Sequence, residues 1–442
     1  MSDHPTDATP GGVQRRTIVA GASWTIPVVA TAIGAPLAAA SETTTENVLT
    51  FTENLYVPGA DCRISGVTTT LTSPSGAPVA GELVTVAPPT GYAFADGTTT
   101  KTLPTDGSGS ITWPDIVAKP GAGTFTLGAT TPTAPATSAD IVIVAEPTVF
   151  EYNATTRRSY PLRAVPVGSR ALGGGYFQAP NGDIYDWKRS TPLVTGAGVA
   201  LGYPGDGTYY LDFVKNGVAT TWSSSGNGSR TYPHIPADAV PVGSSWFLSP
   251  DGRLWQWNRT SGPIATGVTS ATGYVAQDGS FTVQFVNATG AHQATGYSTA
   301  ITDFPQVGAG ATAVGGGYFL RNGTLRYGNK IVATNVKSAV GYPSPLNNVR
   351  TDYADYLLEN GEVWETANDS GTGNTTNKRL TAVPANAEPI GGGFFLSGTS
   401  LWSWYARVPG GSDVSSAVGY VTASDTQGYW TDFVVTPSGC IA

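Results

Sequence analysis

One hairpin is spelled eight times between residues 170 and 439, and this constrains the fold more than any other feature of the chain. In AVGGGYFLRNGTLRYG (313–328) a glycine run leads into an aromatic-apolar strand, an Asn-Gly turn and a second strand. The aromatic of that first strand recurs as Phe177, Phe213, Phe247, Phe285, Phe319, Tyr356, Phe395 and Phe433, at intervals of 34–39 residues. Val or Leu follows it in every copy except at Gln178. Asn181-Gly182, Asn216-Gly217, Asp251-Gly252, Asn322-Gly323 and Asn360-Gly361 then read as type I′ hairpin turns. Thr289-Gly290, Ser397-Gly398 and Ser438-Gly439 are looser versions. A fixed period of this kind marks a repeat architecture.

The copies alternate. Odd ones are entered through GGGYF (173, 315), GGGFF (391) or VGSSWF (242), even ones through Gly-Tyr at 202, 273, 341 and 419, so the deeper unit is a pair of hairpins present four times. Each copy has room for four short strands. The last copy lacks its outer strands, whereas TVFEYNATTRRSYPLRAVPVGS (148–169) looks like an outer pair lacking its inner one. The two halves complete each other only if the chain closes on itself, which also removes exposed sheet edges. Residues 147–442 are therefore expected to form a β-propeller of about eight blades, sealed by pairing of its N- and C-terminal segments. The repeats resemble those of the regulator-of-chromosome-condensation and tectonin propellers, whose Gly-entered strands lead to an xG-x-[LV]-[YW]-x-W hairpin; RLWQW and SLWSWY are the versions here. The resemblance implies the fold and not a function.

Composition agrees with an all-β chain: 56 Gly, 32 Pro, one Met and 12% charged residues favour short strands and turns over helices. Residues 41–146 carry five or more alternating strand candidates, the length of one β-sandwich. The order SPSGAPVAGELVTVAPP…TDGSGSITWP…GTFTLGAT resembles bacterial immunoglobulin-like domains of the invasin and intimin type, which implies a stalk or spacer. Ahead of it, Arg15 and Arg16 precede an uncharged run ending Ala38-Ala39-Ala40. This is similar to twin-arginine leaders of actinobacterial exported proteins, and implies a signal peptide over 1–40 cleaved between Ala40 and Ser41. The expectation is a secreted or cell-wall-associated protein with no membrane span once mature. A net charge of −8 offers no field for phosphate backbones, which excludes nucleic acid as a partner class.

Only Cys62 and Cys440 are present. The turn holding Cys62 is expected at the pole where the sandwich meets the propeller, and closure brings Cys440 to residues near 150, so a Cys62–Cys440 disulfide is expected in an oxidising space.

No metal-ligand spacing, nucleophile elbow or phosphate-binding loop is found, and no cofactor is expected. Asp212, Asp355 and Asp432 recur just before the aromatic of even copies, the mark of a structural role. Tyr209, Tyr210, Tyr353, Tyr429 and Trp430, with Asp206 and Asp425 nearby, are candidate stacking platforms for a ligand. The reading is a non-enzymatic binding or adhesion protein, a stalk presenting a propeller to an extracellular glycan or protein. The alternative is an extracellular glycosidase or lyase on the same scaffold, which needs carboxylates converging in one cleft.

Overall fold

The computed structural model describes residues 46–436 apart from 57, 59–61, 119–122, 144–146, 163, 206, 227, 299, 345–350, 370–371, 409–410 and 423–427. Arg15, Arg16, Ala40, Ser41, Asp206, Asp425 and Cys440 thus lie outside the described residues. All regular structure among those described is β, and there is no helix. The described residues belong to one unit that begins at Glu46.

Residues 48–143 build three sheets around one core. Five strands run in the order Leu55–Tyr56, Ala134–Ile143, Gly123–Thr131, Leu83–Ala87 and Lys101–Pro104. Val48–Phe51, Thr68–Thr72 and Ser110–Thr112 form a second sheet, and short strands at 63–64, 116–117 and 93–94 a third. Thr68–Thr72 and Leu83–Ala87 bury every second side chain, the period of a sheet with one face inward. Leu71, Val84, Val86, Phe94, Trp113, Leu127 and Ile141 meet in the shared interior.

From Thr148 onward eight antiparallel sheets follow. Sheet 1 is Arg170–Gly173, Tyr176–Gln178 and Ile184–Asp186; sheet 2 is Ala200–Pro204, Tyr209–Lys215, Val218–Ser223 and Gly228–Tyr232. Sheet 3 is Val240–Gly243, Trp246–Leu248 and Leu254–Gln256; sheet 4 is Ser270–Val275, Phe281–Asn287, Gly290–Thr295 and Ile301–Phe304. Sheet 5 is Thr312–Gly315, Tyr318–Arg321, Thr324–Tyr327 and Lys330–Ala333; sheet 6 is Val336–Ser344, Thr351–Leu358, Val363–Asp369 and Thr375–Arg379. Sheet 7 is Glu388–Gly391, Phe394–Ser397 and Ser400–Ser403. Sheet 8 combines Val414–Thr422 and Gly428–Val435 with Thr148–Asn153 and Arg158–Pro161, Phe150 lying opposite Phe433. The early and late segments of the region do pair.

Two sequence expectations need correction. Sheets 1, 3 and 7 have three strands rather than four, and a single bridge replaces the outer strand (Ile184 to Val194, Leu254 to Ala265, Trp402 to Arg407). In the first two the returning segment carries Pro192 or Pro263, which cannot donate to a ladder. Of the five expected type I′ turns, only Asn216-Gly217 and Asn322-Gly323 have both residues at positive φ. At Gly182, Gly252 and Gly361 only the glycine does, each amide bonding back three residues, as in a type I turn with a glycine bulge. Pro180 and Pro250 fix the first two in that form.

Both faces of these eight sheets are covered. Tyr176–Gln178, Ile184–Asp186 and Leu254–Gln256 bury every residue. The apolar interior is divided into eight clusters, one at each joint between successive sheets. Tyr176 meets Leu211 and Phe213 of sheet 2; Trp246 meets Val283 and Phe285 of sheet 4; Phe394 meets Phe433 and Phe150 of sheet 8. Phe177 of sheet 1 packs against Val149 and Val434 of sheet 8. The first strands touch in order from sheet 1 to sheet 8, and that of sheet 8 touches that of sheet 1.

Candidate functional site

The repeated motifs act first at the joints. In odd sheets a register shift precedes the glycine run, and Gly173, Gly174 and Gly175 have φ of 89°, 62° and 76°. Gly315–Gly317 and Gly391–Gly393 repeat this left-handed path, which glycine alone takes without strain. Sheet 3 has Ser244 and Ser245 there at φ 57° and 60°. Their hydroxyls compensate: Ser244 Oγ donates to Tyr274 O at 2.9 Å, and Ser245 Oγ bonds Thr221 Oγ1 at 3.0 Å.

The glycine of each Gly-Tyr pair answers a different need. A Cβ on Gly202, Gly273, Gly341 or Gly419 would lie 2.1, 2.0, 2.1 or 1.9 Å from the carbonyl oxygen of Gly173, Gly243, Gly315 or Gly391. Odd and following even sheets therefore meet backbone to backbone.

Even sheets reach the next odd sheet through a side chain. Asp212 Oδ2 accepts from Ser245 N (2.8 Å), Gln284 Oε1 from Gly317 N (3.1 Å), Asp355 Oδ2 from Gly393 N (2.8 Å) and Asp432 Oδ2 from Gly175 N (2.7 Å). The tyrosines of the Gly-Tyr pairs donate to the other carboxylate oxygen, Tyr203 to Asp212, Tyr342 to Asp355 and Tyr420 to Asp432, at 3.1–3.2 Å. All three carboxyls are fully buried. Burial pushes Asp212 up to about 7, and pushes Asp355 and Asp432 well above the carboxylate range, with Glu365 and Glu151 beside them adding repulsion.

The space enclosed by the first strands, about 260 Å³, is lined by glycines, Leu201, Val242, Val275, Val340, Ile390, Val418, Val421 and the four tyrosines, with no carboxylate among its lining residues.

The candidate ligand platforms are engaged internally. Tyr209 meets Trp187 edge-on at 4.6 Å, Tyr429 meets Trp404 at 4.6 Å, Tyr210 stacks on Tyr203 at 5.5 Å, Tyr353 on Tyr342 at 5.9 Å, and buried Trp430 on Tyr160 at 6.4 Å. The acids on turns are dispersed: Asp183 accepts from Gly196 N, Asp251 pairs with Arg253, and Glu362 pairs with Arg379. His292 lies between Asp303 Oδ1 (2.7 Å) and Thr289 Oγ1 (3.0 Å) in the order of an acyl-transfer triad. Thr289 Oγ1, however, donates to Asn287 Oδ1 at 2.6 Å on an exposed turn, so its proton points away from the imidazole. Cys62 packs half-buried against the core of the first three sheets.

One position breaks the symmetry. Four residues before the repeated aromatic, even sheets carry Tyr209, Phe281 and Tyr429, which pack on Trp187, Trp257 and Trp404 of the preceding odd sheet. Sheet 6 carries Asp352 instead, and Tyr327 donates to its Oδ2 at 2.7 Å. Beside it opens a cavity of about 390 Å³ lined by Tyr274, Gln277, Asp278, Gln293, Phe304 and Tyr327 among others. Tyr274 OH donates to Gln293 Oε1 (3.3 Å), and Gln277 Nε2 donates to Thr351 O (2.6 Å). Burial pushes Asp352 up to about 6, against the lowering effect of the Tyr327 hydroxyl. Aligning the even copies on their aromatics would have exposed Tyr, Phe, Asp, Tyr at this place; attention to the aromatics alone passed over it.

No protein-family profile and no curated protein matches the chain. Among solved structures, the chain is similar to an auxiliary nutrient-binding protein from Bacteroides thetaiotaomicron (12% identity, 90% of this chain and 85% of that one, TM-score 0.25). It is also similar to the six-bladed β-propeller lectin of Aleuria aurantia, a fucose-recognising protein (10% identity, 78% and 98%, TM-score 0.23), and to the dihydro-heme d1 dehydrogenase NirN (10% identity, 80% and 76%, TM-score 0.26). Likenesses this remote, to binding proteins and an enzyme alike, carry no argument about this chain.

Proposed function

We propose that the chain is an exported binding protein, with a twin-arginine leader over 1–40, an immunoglobulin-like stalk over 41–146 and an eight-bladed β-propeller over 147–442 that takes a hydroxyl-rich ligand such as a glycan. Support for the propeller comes from the eight interface cores and from the pairing of Thr148–Asn153 with Gly428–Val435. The Cys62–Cys440 bridge belongs to the same proposal, since these are the two cysteines of the chain.

The observation that carries the binding reading is Asp352. It replaces an aromatic plug with a carboxyl and leaves a cavity holding two carboxamides and aromatic walls. A few convergent polar groups against aromatic surface are what a sugar site uses to fix hydroxyls and stack on a ring face. The recurring acids support it too, since they spend their oxygens on backbone amides and tyrosines.

Glycan-array binding of the exported protein tests this. Binding that falls at least tenfold in Asp352→Ala and in Gln293→Ala, and persists in Tyr210→Ala, fits the reading; binding untouched by Asp352→Ala overturns it.

A second reading has its own observation. Asp278 and Asp352 line the same cavity, and burial raises Asp352 towards the range of a general acid, so two carboxyls share one cleft as a glycoside hydrolase or lyase requires. Release of reducing ends from a glycan that binds, abolished in Asp352→Asn, would favour it over binding alone.

A further inference from the structure

A second cleft, of about 460 Å³, lies where the first three sheets meet the eight-sheet array, and nothing in the repeat accounts for it. Thr52, Glu53, Tyr56, Ile64, Ser65 and Thr68 line it from one side, and Arg157, Ala406, Arg407, Val408 and Ser412 from the other. The two sides are fixed to each other: Asn54 Nδ2 donates to Ser159 O at 3.2 Å and Ser159 N donates to Asn54 Oδ1 at 3.1 Å. Leu55 and Val142 also share a core with Phe150, Tyr152 and Phe394. The walls are therefore preformed.

The polar content is lopsided. Glu53 Oε2 is buried without a hydrogen bond among the described residues, and a buried polar atom left so costs free energy unless a ligand or water meets it. Arg157 and Arg407 are exposed, Arg157 lying over the Tyr405 ring at 4.6 Å. Neither forms an ion pair with a carboxylate among the described residues. Tyr56, Ile64, Ala406 and Val408 give the cleft an apolar body.

We propose that this cleft binds a small carboxylate with an apolar body, with Arg157 and Arg407 supplying the charge and Glu53 Oε2 meeting a carboxylate oxygen. Burial supports the pairing: it pushes Glu53 up to about 8 against the pull of Arg157, so near neutral pH Glu53 is an O–H donor and not a second negative charge. The other titratable groups facing it, besides Arg157, are the phenols Tyr56 and Tyr152, which burial pushes up and which stay neutral over the same range. Because the bound form holds the Glu53 proton, affinity falls as pH rises through 8, by about tenfold between pH 7 and pH 9.

The experiment is calorimetric titration of the whole protein with benzoate, and with benzamide as the uncharged isostere, at pH 7 and pH 9. The expected result is benzoate binding at pH 7, none for benzamide, and a tenfold loss at pH 9 that disappears in Glu53→Gln, whose amide still donates. Arg157→Ala, or Arg407→Ala if the first does not fold, weakens benzoate at least tenfold. Absence of benzoate binding at pH 7, equal benzamide binding, or arginine variants that bind as the parent does would overturn it, and an unchanged affinity at pH 9 would remove Glu53 from the site.

Discussion

The joint from sheet 7 to sheet 8 and the joint from sheet 8 to sheet 1 are neighbours, yet they rest on different chemistry. At the first, Gly419 meets the carbonyl of Gly391 so closely that no side chain fits. At the second, a fully buried carboxyl spans the gap, Asp432 taking the Gly175 amide and the Tyr420 hydroxyl. The two kinds alternate through all eight joints. A backbone contact has one setting: it excludes every residue but glycine and has nothing to titrate. A carboxyl contact is adjustable, since Gln284 does the same work uncharged and Asp212, Asp355 and Asp432 exchange a proton. Rigidity and responsiveness are thus assigned to different joints.

The sharpest way to break this contrast is Gly419→Ala. Its Cβ would lie 1.9 Å from a backbone oxygen that cannot step aside, so a loss of more than about 3 kcal/mol, or no folded protein, is expected in urea denaturation. Gly128→Ala, with nothing within 4 Å, should stay within about 0.5 kcal/mol. Asp432→Ala should cost about 1–3 kcal/mol, because it leaves the buried Gly175 amide without an acceptor, while the Tyr420 hydroxyl keeps Glu151 Oε1 at 3.1 Å.

Acidity separates the joints next. The folded chain keeps protons on Asp212, Asp355 and Asp432 that the unfolded chain releases near pH 4. Their stabilisation is complete below that pH and is lost as pH rises through the folded values, about 7 for Asp212. A melting temperature on the order of 5 °C higher at pH 5 than at pH 8 is expected by calorimetry, and Asp432→Asn should reduce that difference, leaving the share of Asp212 and Asp355. The smallest effect belongs to sheet 3. Replacing Ser244 and Ser245 together by glycine relieves two left-handed residues and removes two hydroxyl bonds, which nearly cancel, leaving a change within about 1 kcal/mol.

The period, the alternation and the pairing of the early and late segments were legible because backbone demands leave few residue choices: glycine where two chains touch, Asn-Gly where both turn residues are left-handed. The structural use of the recurring aspartates was legible for a related reason, since a position repeated in three even copies serves what those copies share. Turn type was less so, because Asn181-Gly182 and Asn216-Gly217 look alike until Pro180 is taken into account. The outer strands of sheets 1 and 3 were over-counted because a proline-bearing return and a strand differ only in one missing donor. Asp352 escaped because the proposed site sits where the repeat is violated, and a reading built on agreement between copies averages such a position away. Glu53 and Arg157 escaped for another reason: they come together only through the docking of two groups of sheets about a hundred residues apart in the chain, which no periodicity encodes.

The seam in sheet 8 bears on how the molecule comes to be made. Phe150 waits through nearly three hundred residues of synthesis for Phe433, and contacts that distant in sequence form slowly. Until the strand Gly428–Val435 emerges, the strand Val414–Thr422 has no partner within its sheet and Thr148–Asn153 is paired on one side only, by Arg158–Pro161. A nascent or truncated chain would thus hold two raw edges open, inviting a second copy to supply the missing strand. The same late stitch that finishes the array makes chain length a quality check: a product short by that one strand should be found in aggregates and not in solution.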